Sequence, residues 1–148
     1  MIETLHVSEP VAATALAPRP LGTAVRRGLA GRCPACGVGP LFRAYLKVAD
    51  ACDSCGEDLS HQRADDAPPY VTMLIVGHFV VAGVLVAEEL WPDSSLLVGA
   101  AAWLTVTVLA SLILLPRVKG ALVGYQWALR MHGFGDVTDD PALSPPLP

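Results

Sequence analysis

The chain has 148 residues, 53% apolar and 16% charged, with 13 Gly and 13 Pro. So charge-poor a composition excludes a disordered chain. A formal net charge of -4 and a pI of about 5.4 exclude a nucleic-acid binder built on bulk charge. The totals leave a single soluble globule open, so the distribution along the chain has to decide.

Residues 1–20 have no basic flank followed by an apolar core and cleavage site, so they do not read as a signal peptide. They are expected to be flexible. Residues 26–62 read as a zinc-ribbon-like module. Cys33-Pro34-Ala35-Cys36-Gly37 and Cys52-Asp53-Ser54-Cys55-Gly56 are two CxxC elements with 15 residues between them. That is the spacing of a four-cysteine zinc site. Two residues between cysteines let both sulfurs of a tight turn face one tetrahedral ion. Gly37 and Gly56 permit the positive φ such a turn needs. Val38–Ala51 has room for a short hairpin carrying Leu41, Phe42, Tyr45, Leu46 and Val48. Using Cys33, Cys36, Cys52 and Cys55 together closes the coordination sphere, so one structural Zn²⁺ per chain is expected. Arg32 and Arg43 are placed to offset its four thiolates. A redox or iron–sulfur role and disulfides are the alternatives. A cytoplasmic setting disfavours stable disulfides, and no βαβ pattern accompanies a thioredoxin-type motif.

Next comes Ser60-His61-Gln62-Arg63-Ala64-Asp65-Asp66. Asp65 and Asp66 read either as helix caps or, with His61 and Arg63, as a polar patch that contacts a partner or an ion. Two apolar runs follow, Val71–Ala87 with 17 residues and Leu96–Leu115 with 20. The second is about 30 Å long as a helix, the thickness of a bilayer's hydrocarbon. Both are apolar on every face, and they predict a transmembrane hairpin over 68–116, with helices at 71–90 and 95–115. A buried helical hairpin in a soluble protein is the alternative, but the rest of the chain offers little to cover it. Pro68 and Pro69 suit a helix start, Pro116 suggests a stop or sharp bend, and Tyr70 and Trp91 sit where interfacial rings belong. His78 lies about 10 Å into the first run. It reads as a hydrogen-bond partner for Thr105 or Thr107 on the second helix, or as an intramembrane functional group contacting a partner, a haem ligand included. Gly83-xxx-Ala87 and Ser95-xxx-Gly99 are small-residue pairs that let helices approach. Residues 117–132 read as an interfacial helix anchored by Tyr125 and Trp127, and 133–148 as a flexible tail.

The basic residues orient this scheme. Seven precede the first apolar run, three follow the second, and none lies between Ala64 and Pro116. The positive-inside rule places both termini in the cytoplasm.

Gly28-Leu29-Ala30-Gly31-Arg32-Cys33-Pro34-x-Cys36-Gly37, Gly39-x-Leu41-Phe42, Cys52-x-x-Cys55-Gly56, Arg63 to Tyr70, Gly77-His78, Leu115 to Gly120 and Gln126 to Arg130 occur in that order. Together they resemble the bacterial domain-of-unknown-function family 983, over about residues 26–132. The resemblance implies a small inner-membrane protein with an N-terminal zinc-ribbon-like motif and two transmembrane helices. It implies no reaction. Members often stand beside cytochrome oxidase genes, which implies a role near oxidase biogenesis. Val80, Val81 and Ala82 occupy a stretch where relatives carry a Pro, so the resemblance does not extend to a kinked first helix.

The fold class expected is therefore an α-helical, multi-pass membrane protein with a cytoplasmic zinc ribbon. The leading functional reading is a non-enzymatic accessory or assembly protein with no catalytic residues. Its partners are the lipid bilayer and a larger membrane complex or a second copy, and not nucleic acid. The other reading is metal or thiol-redox handling by the CxxC pairs.

Overall fold

A computed structural model describes residues 18–135, so most of both segments expected to be flexible lies outside the described residues. The element order is α1 (Leu21–Leu29), β1 (Phe42–Ala44), β2 (Lys47–Val48), α2 (Ala67–Leu90) and α3 (Leu96–Ala128), then a 3₁₀ turn at Met131–Gly133. Sequence reading did not anticipate α1. It follows Pro20 and ends at Leu29, two residues before Gly31, whose φ of 69° lets two amides turn back onto the helix. Gly31 N donates to the Gly28 carbonyl and Arg32 N to that of Arg27, which satisfies the last turn.

α2 and α3 form an antiparallel pair. Pro68 and Pro69 lie in the first turn of α2, where their missing N–H groups cost nothing. At 24 and 33 residues, α2 and α3 are about 36 and 50 Å long. Both are long and apolar enough to cross a membrane. Where they meet, Thr72 and Val76 are buried, and Gly83 leaves the space that the Trp103 ring fills. Elsewhere Met73, Leu74, Phe79, Leu85, Leu97 and Leu104 stand exposed, with nothing among the described residues to cover them. Of the glycines in the two small-residue pairs, Gly83 meets a neighbour, whereas nothing stands within 4 Å of a Cβ built on Gly99.

The largest correction is at Pro116. It ends nothing: the segment expected to be a separate interfacial helix is the last third of α3. A proline inside a helix strips the carbonyl four residues earlier of its donor. Here that carbonyl belongs to Leu112, and the Tyr45 hydroxyl donates to it at 2.9 Å. Arg117 Nη1 donates to the next carbonyl, Ile113, at 2.6 Å. The hairpin of the cysteine module thus supplies the bond that the proline removed.

Beyond Pro116, α1 lies on α3 with backbone against backbone. A Cβ on Gly28 would overlap the Gly120 carbonyl, one on Gly120 the Gly28 carbonyl, and one on Gly124 the carbonyl of Ala24. Small residues four apart on both helices, Ala24-xxx-Gly28 and Gly120-xxx-Gly124, make this approach geometrically open.

Gly120→Leu is therefore expected to cost about 3 kcal/mol or to prevent folding of residues 21–59, since it overpacks a contact with no free space. Gly77→Ala, where a Cβ meets nothing within 4 Å, should be neutral or slightly stabilising. Thermal melts and limited proteolysis of the full chain in detergent compare the two. Tyr45→Phe keeps the ring and removes the hydroxyl, so a loss of about 1 kcal/mol is expected, read by the same melts.

Candidate metal centre

Two short turns with the same backbone plan carry the cysteines. In the first, Gly37 N donates to the Cys33 carbonyl at 2.8 Å, and Cys33 N donates to Gly39. In the second, Gly56 N donates to the Cys52 carbonyl at 2.8 Å, and Cys52 N donates to Glu57. Gly37 and Gly56 have φ of 75° and 74°, as expected from the sequence. Phe42 pairs with Val48 and Ala44 with Lys47, an irregular antiparallel hairpin whose turn holds Leu46 at φ 60°. Leu41 and Val48 are buried beneath it. Gly39 also makes room for a ligand, since a Cβ there would press on Cys52 Sγ at 2.6 Å.

All four sulfurs lie within 4.8 Å of one another. Cys33–Cys55 and Cys36–Cys52 are both 3.8 Å apart. Four sulfurs about 2.3 Å from one tetrahedral ion stand about 3.8 Å from each other, so the donor set fits a single ion. Cys33 and Cys52 are buried, Cys36 half-buried and Cys55 exposed. The centre is thus closed toward the protein and open on one side.

The surrounding polar groups differ from expectation in one respect. Arg43 does not face the cluster; it pairs with Asp50 at 3.0 Å on the surface. Arg27 of α1 takes that position, donating to the Pro34 and Ala35 carbonyls at 2.9 and 2.7 Å, while Arg32 donates to Val38 at 3.0 Å. Arg27 lies six residues before the first cysteine, on a helix that sequence reading did not recognise.

The thiols are not equivalent. The backbone amides of Gly39 and Val38 aim at Cys36 and bring it down to about 6. Burial pushes Cys33 up to about 12, and burial raises Cys55 as well.

The core of the molecule is built around these turns rather than between α2 and α3. Cys33, Leu41, Cys52, Leu59 and Ala64 pack with Ala24 of α1 and with Val123 and Trp127 of α3. Trp127 was expected to be an interfacial anchor, but it is 7% exposed and its indole N–H donates to Glu57 Oε1 at 2.6 Å. Arg19 lies over the Trp127 ring, 4.4 Å from its centroid, and donates to the carbonyls of Trp127 and Phe134. Phe134 is 4% exposed. Arg19 and Phe134, at the inner margins of the segments expected to be flexible, are therefore packed. Neither end showed this in sequence, because the contacts join residues more than a hundred positions apart.

The other predicted contact residues are not gathered into one site. His61 pairs with Asp58 at 3.4 Å and meets Phe134 edge-on, while the Arg63 amide donates to Gln126 Oε1. Asp65 is exposed, and Asp66 occupies the N-cap of α2 without a side-chain capping bond. His78 does not reach Thr105 or Thr107. It turns to the face of α2 away from α3 and bonds the Leu74 carbonyl on its own helix at 2.7 Å through Nδ1. Both threonines likewise bond carbonyls four residues earlier on α3. Among the described residues, the four cysteines are the only group of three or more such ligands within reach of one ion.

A four-cysteine centre on a two-helix hairpin is the kind of protein this geometry defines. Residues 42–127, more than half of the chain, match the family described as protein of unknown function DUF983, and the chain belongs to that family. No curated protein and no solved structure matches it.

Metal loading of the metal-free chain at neutral pH is expected to release the protons of Cys33 and Cys55 but none from Cys36, which is already a thiolate there. Affinity should fall more steeply once pH drops below about 6, where Cys36 must also lose a proton. Calorimetric titration in buffers of different ionisation enthalpy counts those protons.

Proposed function

We propose that this protein is a non-enzymatic accessory or assembly protein of the bacterial inner membrane. In this reading α2 and α3 span the bilayer, both termini are cytoplasmic, and the cysteine module is a rigid docking surface. One observation carries it: Cys33 and Cys52 are core residues that pack with α1 and the end of α3, so metal binding is part of how the module folds. Four thiolates in tetrahedral array suit Zn²⁺, which has no redox chemistry of its own. Glu88, Glu89 and Asp93 near the α2–α3 link, and seven basic residues ahead of α2, support the orientation. Two helices enclose little, so a larger membrane complex is the natural partner. The family resemblance directs attention to haem–copper oxidase assembly.

The full chain purified from native membranes should carry one zinc, keep it for hours against a chelator, and bring a membrane partner with it. Cys52→Ser should lose both the metal and the partner while still inserting in the membrane. Normal oxidase levels in a deletion strain would remove the oxidase version. The exposure of Cys55 favours a second reading, exchange of metal at the membrane surface. Loss of zinc to the chelator within minutes would favour that reading over the first.

A further inference from the structure

We propose that the tip of the hairpin, Arg43–Lys47, is a lipid-binding surface whose partner is anionic phospholipid headgroups. This rests on the reading of α2 and α3 as membrane spans.

The tip is tied to the end of the span. Tyr45 is 57% exposed, yet its hydroxyl reaches the Leu112 carbonyl, which lies inside the charge-free run and one turn before Pro116. Arg117 folds back along α3 to the adjacent Ile113 carbonyl. A tyrosine hydroxyl and a guanidinium from distant parts of the chain therefore hold consecutive carbonyls at one level of the helix. That level is where apolar sequence gives way to charged sequence, the boundary at which tyrosine rings and long cationic side chains settle in a bilayer.

The free charges on the hairpin tip and at the α3 boundary are positive, while Asp65 and Asp66 are exposed at the start of α2. Asp50 neutralises Arg43 at 3.0 Å. Lys47 and Arg117 are exposed, and among the described residues no carboxylate lies within ion-pair distance of either. Tyr45 and Leu46 lie between Arg43 and Lys47. An aromatic ring and an aliphatic side chain beside the unpaired cation of Lys47 fit a phosphate ester that is attached to hydrocarbon. A free phosphate would use only the cations. Bound headgroups would hold the hairpin of the cysteine module against the membrane.

The experiment uses the full chain in nanodiscs of phosphatidylcholine with a minor share of phosphatidylglycerol. Leu46 is replaced by the photo-crosslinker p-benzoylphenylalanine, and adducts are identified by mass spectrometry. Lipid adducts are expected, with phosphatidylglycerol enriched about fivefold over its share, the preference one basic residue confers at an anionic surface. Lys47→Gln should remove most of that enrichment while leaving the metal content unchanged. The same probe at Leu85, on the exposed face of α2, should capture both lipids in proportion to their amounts. Adducts at position 46 to protein alone, or to lipid in mere proportion, would overturn the proposal. Added inorganic phosphate should leave the enrichment intact; competition by it would assign the surface to free anions instead. Failure of the Leu85 probe to capture lipid would overturn the spanning reading itself, a different outcome from failure at 46 alone.

Discussion

The close approach of two backbones is the constraint on which the rest of the structure depends. Gly28 and Gly120, with Ala24 and Gly124, let α1 lie against α3 without intervening side chains. Because α1 sits there, Arg27 is delivered to the first cysteine turn and the chain leaves Gly31 in the direction that Cys33 requires. Any side chain larger than a hydrogen at Gly28 or Gly120 overlaps the facing carbonyl and pushes the two helices apart. The cysteine cluster is thus anchored to α3 through α1 and through Trp127, and not through the hairpin alone.

The protein has two parts with opposite logic. The module near the cysteines buries its apolar side chains internally, with Leu41, Leu59 and Val123 fully enclosed. The paired helices do the reverse and display leucine, valine and phenylalanine outward. A helix with no internal core to satisfy obtains its backbone bonds within itself, so it tolerates an apolar surrounding that a loop does not. Pro116 sits where these regimes meet. The carbonyl it leaves at Leu112 would be costly in an apolar setting, and the Tyr45 hydroxyl meets that need. One hydrogen bond thereby links the cysteine module to the long apolar helix.

The arrangement places the four-cysteine cluster at one end of α3 and leaves Cys55 facing outward beside Glu57, Asp58 and His61. A centre held by buried Cys33 and Cys52 on one side and open on the other suits a surface that another protein or a membrane can rest on. His78 stays apart from it, on the outer face of α2 beside Gly77. Its Nδ1 is committed to Leu74, so any further contact of the imidazole falls to Nε2.

Sequence alone determined what depends on local spacing and composition. The two CxxC turns with their glycines, the short hairpin and the two long apolar helices follow from patterns within a few residues, and local backbone geometry reads such patterns directly. The family was legible for the same reason, as an ordered set of short motifs. Tertiary structure decided what depends on distant partners. It showed that α3 runs through Pro116 with Tyr45 bonded to the carbonyl that lost its donor, and that α1 is seated on Gly120 and Gly124. Arg27 rather than Arg43 stands by the cysteines, and Trp127 points into the core. The Gly120-xxx-Gly124 spacing was visible in the chain, but nothing local says which helix it receives. A glycine pair marks a place where backbones are able to meet, and only the folded chain supplies the second backbone.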